Sequence, residues 1–248
     1  MTQRVAPVRQ RFRRPVLLHL RGTEGRGSLK RDFEFFSGID PSWTGKYPTA
    51  VTVLDRGLHL VDFVYSEKID EILEPLRTYP NSVVGVDAPL IVTNESGHRP
   101  NEREFLKHFA RFGLSLYPVN KKRYPFFFPE LLYERLNQIG YSFESGNIFE
   151  VYPHATIMVL FNDMKVFHYK RVKAKERFKK LRWLEGKLKN FVEIPDSFCI
   201  PKDNLKAYED FLDSLVCGLT VALAREKSYL TFGDEETGIM LALDSFRE

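Results

Sequence analysis

Short apolar runs alternate with amphipathic stretches along the chain, and the first three of these runs predict strands. Aromatic and β-branched residues between 33 and 40 predict a strand that ends at Asp40, and the turn-forming Pro41 and Ser42 follow it. Residues 49–54 and 58–65 follow, and the spacer between them is short enough for a hairpin. The pattern predicts an antiparallel meander with Asp40 at the carboxyl end of its first strand.

The next two elements predict a crossover back to that first strand. Residues 67–79 carry apolar side chains at helical spacing, with acidic residues early and Arg77 late. Residues 82–87 (SVVGVD) are apolar until the last position, as expected of a central strand covered on both faces. A right-handed crossover that sets this strand beside the first makes Asp40 and Asp87 neighbours.

The second half of the chain predicts mainly helices. A helix rich in Arg, Lys and Phe follows Glu102, and further elements are expected at these positions: a helix from about 129, a strand at 148–152, helices at 175–190 and 203–227, and short strand-like pieces at 229–232 and 238–243. We expect an α/β fold with a mixed five-stranded sheet flanked by helices, with helical insertions.

Charge divides the chain into two parts. With 248 residues, of which 43% are apolar, the chain fits one large domain. Residues 1–31 hold nine basic residues against one acidic residue, a local charge of +8 within a total of +4, which leaves −4 for residues 32–248. We expect residues 1–31 to be a poorly ordered basic extension or an upstream start-site extension. A phosphate-gripping arm is the less favoured interpretation.

Cysteine content and the length of the apolar runs bear on location. Cys199 and Cys217 make neither a disulfide framework nor a paired zinc motif. The uncharged run at 214–224 is shorter than the roughly 18 apolar residues that span a bilayer. We expect a cytoplasmic protein that does not associate with membranes; the oligomeric state stays open.

Acidic residues at element ends are the candidate chemistry. Two carboxylates as close as Asp40 and Asp87 repel each other unless one is protonated or a cation lies between them, and Mg²⁺ or Mn²⁺ meets that need. Asp210 and Asp213 share a helix face among apolar and small residues that would let the helix approach the sheet closely. Glu150 is either an outer metal ligand or an edge-strand charge.

Four ordered segments resemble a known family. They are GID at 38–40, GVDAPL at 85–90, EVYPHA at 150–155 and EDFLDSLVCGLTVA at 209–222. They resemble the predicted nucleases of domain-of-unknown-function family 429, which is assigned to the ribonuclease H-like fold, and the DxxD pattern is similar to that of RuvC-type resolvases. The resemblance spans roughly residues 35–243. The chain departs from it in the basic extension and in Ser214, where RuvC-type motifs tend to have Ala.

The resemblance implies a set of acidic site residues. It implies metal-binding carboxylates at Asp40, Asp87 and Asp213, with Asp210 and Glu150 as helpers. The resulting hypothesis is metal-dependent hydrolysis of nucleic acid, DNA or RNA. Asp40 would bridge two Mg²⁺ or Mn²⁺ ions about 4 Å apart, and Asp87 and Asp213 would anchor one each.

The resemblance also implies basic positions. Arg103 and Lys170 match basic residues of the family and would contact phosphate, although either could be a plain surface charge. His154 follows a strand that carries a candidate acid, and we interpret it as a structural histidine rather than a base.

Two other functions remain open. Residues 38–46 (GIDPSWTGK) loosely resemble the phosphate-binding turn of actin-like phosphotransferases and ATPases. Those enzymes pair two ribonuclease H-like domains, however, and this chain has room for one; Tyr47 also stands where a Walker loop needs Ser or Thr. A non-catalytic nucleic-acid-binding module is the other alternative, and the full set of carboxylates argues against it.

Overall fold

The structure is a computed structural model that describes residues 32–244, so the basic extension predicted at residues 1–31 lies outside the described residues. Its strands are β1 (Phe35–Asp40), β2 (Thr49–Asp55), β3 (Leu60–Ser66), β4 (Ser82–Val86), β5 (Ile148–Val151), β6 (Tyr229–Phe232) and β7 (Met240–Leu243). Its helices are α1 (Ile69–Thr78), α2 (Pro100–Phe109), α3 (Phe128–Gln138), α4 (Pro153–Phe161), α5 (Ala174–Leu188) and α6 (Leu205–Leu223). Within residues 32–244, no helix has both the length and the apolar content to cross a bilayer.

The strands form one mixed sheet in the order β3-β2-β1-β4-β5-β7-β6. β1 pairs antiparallel with β2, and β2 with β3, as the meander predicts. β4 returns parallel to β1, and its register aligns Ile39 with Val86. The predicted crossover is therefore confirmed, and the carboxyl ends of β1 and β4 lie side by side.

The prediction of five strands was wrong, because the sheet has seven. β7 pairs parallel with β5, with Glu150 opposite Met240, and β6 pairs antiparallel with β7. Without β7, the outer edge of β5 would expose unpaired backbone N–H and C=O groups. The two strand-like pieces predicted near the end of the chain supply this cover.

One helix was missed by the sequence pattern. The sequence predicted a strand at 148–152 and no helix between it and residue 175, whereas α4 begins at Pro153. Proline is tolerated at the first helical position, since the N–H that it lacks would have no partner there. The last long helix also ends at Leu223, four residues before the predicted end.

Helix α6 lies directly on the sheet because glycines leave room for its backbone. A methyl group on Gly38 would lie 1.8 Å from the carbonyl oxygen of Ser214, and one on Gly85 would lie 2.6 Å from that of Cys217. Gly38 and Gly85 are register partners in β1 and β4. The close approach predicted from the small residues of α6 is confirmed.

The period-two alternation of strands sets which residues face α6. In β1, Phe36 and Gly38 meet α6, and Asp40 has the same parity, whereas Ile39 packs on the opposite face with α1 and α3. In β4, Gly85 meets α6, and Asp87 follows with its parity. The two aspartates thus come to the sheet face that α6 covers.

Candidate metal centre

Three aspartates from three elements converge at the carboxyl ends of β1 and β4. Asp40 ends β1, Asp87 follows β4, and the Asp87 backbone N–H donates to the carbonyl of Ile39 at 2.8 Å. Asp213 comes from the middle of α6. One carboxylate oxygen from each aspartate lies within 4.8 Å of the others, and this is the one such group of His, Cys, Asp or Glu side chains among residues 32–244. The predicted metal-binding carboxylates are brought together.

Asp213 is fully buried and held from two sides. Its Oδ1 accepts a hydrogen bond from the Tyr169 hydroxyl at 2.5 Å, and its Oδ2 lies 2.8 Å from the Lys170 ammonium. The same ammonium lies 3.7 Å from Asp87 Oδ2. The Lys170 side chain is 34% exposed and lines the pocket next to the carboxylates. Lys170 thus brings a positive charge into the cluster.

Asp210 lies one turn before Asp213 and has different partners. Its Oδ2 accepts a hydrogen bond from the Tyr65 hydroxyl at 3.2 Å, and its Oδ1 forms an ion pair with Lys206. Asp210 is buried, and it lines the same pocket as Asp40 and Asp87. It lies next to the group of three and adds negative charge to the site.

The crowded carboxylates resist ionisation in the absence of a cation. Burial, with the charges of Asp210, Asp87 and Asp213, raises the pKa of Asp40 well above its usual range. Burial raises the pKa of Asp87 to about 7, and Lys170 opposes that rise. Burial disfavours the ammonium of Lys170, but Asp213 and Asp87 outweigh it and raise the pKa of Lys170 well above its usual range. The site therefore favours bound positive charge.

Glu150 lies outside the group of three. Its carboxylate forms a bidentate ion pair with the buried Arg99 at 2.7 and 2.8 Å, and Oε1 also accepts the Leu90 backbone N–H at 2.7 Å. β5 lies between β4 and β7, so Glu150 is not on an edge strand. Protein donors therefore satisfy both oxygens of Glu150. Through these bonds Arg99, at the start of α2, and Leu90, which follows β4, are linked to β5.

The two predicted phosphate contacts lie in different places. Lys170 lines the pocket over the carboxylates. Arg103 is exposed on α2, where its guanidinium donates to the carbonyl of His98 at 2.8 Å, and it does not line that pocket. His154 lies behind Tyr169, with ring centroids 4.8 Å apart, and burial lowers its pKa to about 4. At neutral pH the His154 ring is therefore uncharged.

Sequence reasoning missed three residues that contact the candidate site. Lys206 stands four residues before Asp210 on α6, a spacing that places the two side chains on one helix face and could have revealed the pair. Tyr169 and Tyr65 reach their aspartates from distant elements, and no local spacing signals those contacts. The missed residues are the ones that orient the carboxylates.

A pocket of about 670 Å³ opens over the carboxylates. Asp40, Asp87 and Asp210 line it together with the cationic side chains of Lys170 and Arg171, whereas the fully buried Asp213 does not line it. Three carboxylates with no imidazole or thiolate make an oxygen donor set, which suits a hard divalent cation such as Mg²⁺ or Mn²⁺. The residues present fit a metal centre of that kind.

The fold and site define a mixed α/β protein with a candidate carboxylate metal centre. The chain belongs to the family described as "Protein of unknown function (DUF429)", whose model matches residues 38–125 and 130–237. Among solved structures, RuvC from Thermus thermophilus is similar, with a TM-score of 0.41 and 13% identity over 77% of this chain and 95% of that one. No curated protein matches the chain.

Proposed function

We propose that this chain is a metal-dependent nuclease that hydrolyses phosphodiester bonds of nucleic acid with Mg²⁺ or Mn²⁺. The observation that carries the proposal is the group formed by Asp40, Asp87 and Asp213, whose oxygens approach within 4.8 Å beside a large pocket. The strand order β3-β2-β1-β4-β5 within the sheet supports the ribonuclease H-like architecture that the family resemblance implies. Oxygen-only ligands beside an open pocket suit phosphoryl chemistry.

Metal ions bound by these carboxylates would supply an activated water and stabilise the charge on the leaving oxygen. Tyr169 holds Asp213 through Oδ1, which leaves Oδ2 directed towards Lys170 and the rest of the cluster. Lys206 forms an adjacent ion pair with Asp210, the other aspartate of α6, and keeps it in place. In this proposal, a bound divalent cation would compensate the charge of Asp213 in place of Lys170, whose ammonium would then be available to a phosphate oxygen.

The second candidate function is a non-catalytic nucleic-acid-binding module. The Lys170 ammonium favours it, since this internal cation already neutralises part of the carboxylate charge at 2.8 Å from Asp213. Metal affinity separates the two candidates. A nuclease site must bind Mg²⁺ or Mn²⁺ in competition with Lys170, whereas a binding module has no such requirement.

The proposed function is tested by cleavage and by metal binding in parallel. The wild type, Asp40→Asn, Asp213→Asn and the exposed control Glu74→Gln are incubated with single-stranded, duplex, hybrid and branched substrates in Mg²⁺, Mn²⁺ or chelator. Isothermal titration measures Mn²⁺ binding to each variant. We expect cleavage and Mn²⁺ binding in the wild type and Glu74→Gln, and loss of both in the two aspartate variants.

Two outcomes would contradict the proposal. Unchanged cleavage in Asp40→Asn and Asp213→Asn would place catalysis elsewhere. Failure of the wild type to bind Mn²⁺ or to cleave any substrate would leave the binding module as the better assignment. A thermal unfolding curve for each variant excludes misfolding as the cause of a loss.

A further inference from the structure

Aromatic side chains gather at the mouth of the pocket that holds the carboxylates. Trp43, Tyr47 and Tyr117 line this pocket together with Asp40 and Asp87, and we name these three the aromatic rim. Tyr47 is 68% exposed and Tyr117 is 48% exposed, which makes them two of the four large apolar side chains that face solvent among residues 32–244. Exposed aromatic surface concentrated at a pocket mouth indicates a binding surface.

Trp43, one of the three rim residues, is held in place by its neighbours. The Trp43 ring packs against Tyr124 and the buried Phe127, with centroids 5.5 and 5.7 Å apart, and lies 6.0 Å from Tyr117. The Phe128 backbone N–H donates to the Trp43 carbonyl at 3.0 Å. These contacts hold the indole in place before any ligand arrives, so that binding does not have to order it.

Positive charge surrounds the rim. The Arg123 guanidinium lies 4.9 Å from the centroid of the Tyr117 ring. Lys46 precedes Tyr47 in the chain, Lys122 precedes Arg123, and both lysines are exposed. Arg171 lines the pocket. Fixed aromatic faces combined with nearby cations are the features with which proteins bind unpaired nucleotides, because bases stack on the rings while cations contact the phosphates.

We propose that the aromatic rim stacks unpaired bases, so that the site takes a single-stranded segment or an extruded nucleotide rather than a continuous duplex. A pocket of about 670 Å³ has the volume of a small-ligand site and is too small to enclose a duplex. Bases within a duplex have their faces covered by their neighbours and must leave the stack to reach aromatic side chains. This inference rests on the proposed function and names the substrate form of the same site.

The chain offers its own reporter for this contact. It contains two tryptophans, Trp43 in the rim and Trp183 on α5, so Trp183→Phe leaves Trp43 as the single tryptophan, whose emission is excited selectively at wavelengths that tyrosine does not absorb. Binding is measured in the Asp213→Asn, Trp183→Phe background with chelator present, using a 12-nucleotide single strand and the matching duplex. Tyr47→Ala and Tyr117→Ala are compared with Phe178→Ala, an exposed aromatic on α5 away from the pocket.

We expect the single strand to quench Trp43 fluorescence and to bind at least about tenfold more tightly than the duplex. Each rim variant should weaken single-strand binding by about tenfold, and Phe178→Ala should leave it unchanged. Equal affinity for single strand and duplex would overturn the inference, and so would unchanged single-strand affinity in both rim variants.

This binding experiment, combined with the cleavage assay given for the proposed function and repeated on rim variants that retain Asp213, separates this inference from the proposed function. Quenching and rim-dependent binding, without cleavage by the wild type under any metal condition, would support the stacking surface and refute the nuclease. Metal-dependent cleavage by rim variants that bind and cleave single strands as well as the wild type would support the nuclease and refute the stacking surface.

Discussion

The hydroxyl of Tyr169 donates a 2.5 Å hydrogen bond to Oδ1 of Asp213, and both side chains are fully buried. A carboxylate in such a place depends on its donors for orientation as well as for solvation. The bond joins the segment after α4 to the middle of α6.

Replacing Tyr169 with Phe should weaken divalent metal binding without unfolding the protein. Phe keeps the ring contacts and removes only the hydroxyl, so Asp213 loses a donor that fixes its rotamer. Loss of a partner that orients a metal ligand costs about 10- to 100-fold in affinity. Titration calorimetry with Mn²⁺ checks the expectation; unchanged affinity would mean that Asp213 is oriented by Lys170 alone.

Replacing Lys170 with Met should make the metal-free protein less stable and should increase its stabilisation by metal. The ammonium compensates Asp213 at 2.8 Å, and its removal leaves the carboxylates repelling one another. Breaking a buried ion pair costs about 3–5 kcal/mol, and the partial exposure of Lys170 reduces this to about 1–3 kcal/mol. Urea unfolding without Mg²⁺ and with about 10 mM Mg²⁺ measures both effects. A smaller response to Mg²⁺ than in the wild type would contradict competition between Lys170 and the metal.

In chelator, the contribution of Asp87 to stability should be lost as the pH rises. It is read as the difference between the wild type and Asp87→Asn, because the lowered pKa of His154 contributes in the opposite direction in both proteins. Burial raises the folded-state pKa of Asp87 to about 7, above its ordinary value of 3.8, so the native state holds a proton that the unfolded chain releases. The resulting stabilisation is complete below about pH 4 and is lost as the pH rises through about 7, at a cost on the order of 2–4 kcal/mol. Unfolding free energies from pH 5 to 8.5 test this.

The control for that pH profile is Asp87→Asn, which cannot release the proton and should show a flatter profile over the same range. Mg²⁺ should also flatten the wild-type profile, because it binds the ionised carboxylates. Identical slopes for the wild type and Asp87→Asn in chelator would show that Asp87 titrates normally.

Gly38→Ala should destabilise the protein strongly. The added methyl group would overlap the Ser214 carbonyl and push α6 away from β1. Overpacking of this kind costs about 1–3 kcal/mol, and a backbone clash lies at the upper end or beyond. Gly186→Ala is the matched control: Gly186 lies inside α5 with open space around it, and the change should stabilise that helix by about 0.5–1 kcal/mol. Equal stability of both variants would mean that α6 adjusts its position freely.

Glu150→Gln should lower stability by about 3–5 kcal/mol while leaving Mn²⁺ affinity close to that of the wild type. The change leaves the buried Arg99 without its bidentate partner, and an uncompensated buried charge is costly. Measuring the two quantities on one variant decides between the observed ion pair and the catalytic helper predicted from sequence. A large loss of Mn²⁺ affinity at full stability would favour the helper.

Much of the fold followed from local patterns. Apolar runs that stop at an Asp predicted β1 and β4, and a crossover rule placed Asp40 beside Asp87. The apolar and small residues around Asp213 in the sequence indicated that this aspartate is buried. These features depend on residues close together in the chain, so the pattern of apolar positions predicts them.

The parts that could not be predicted depend on contacts between distant segments. β7 joins the sheet because β5 has a free edge, and strands as short as Met240–Leu243 carry little periodicity. Residues 162–173 form no helix or strand, and three of them have positive φ: Asp163, Met164 and Arg171. Because this backbone is irregular, no periodicity in the sequence gives the directions of the Tyr169 and Lys170 side chains. The family resemblance implied that Glu150 is a helper, and its ion pair could not be predicted because its partner, Arg99, is separated from it by 51 residues.

The glycines beneath α6 affect how far the geometry of the site responds to amino-acid substitutions during evolution. Since backbone meets backbone at Gly38 and Gly85, no side chain acts as a spacer between the helix and the strands that carry Asp40 and Asp87. Substitutions elsewhere in the core can then alter stability while the separation of the three aspartates stays fixed by main-chain contact. The geometry of the site therefore stays the same when hydrophobic residues of the surrounding core are exchanged during evolution.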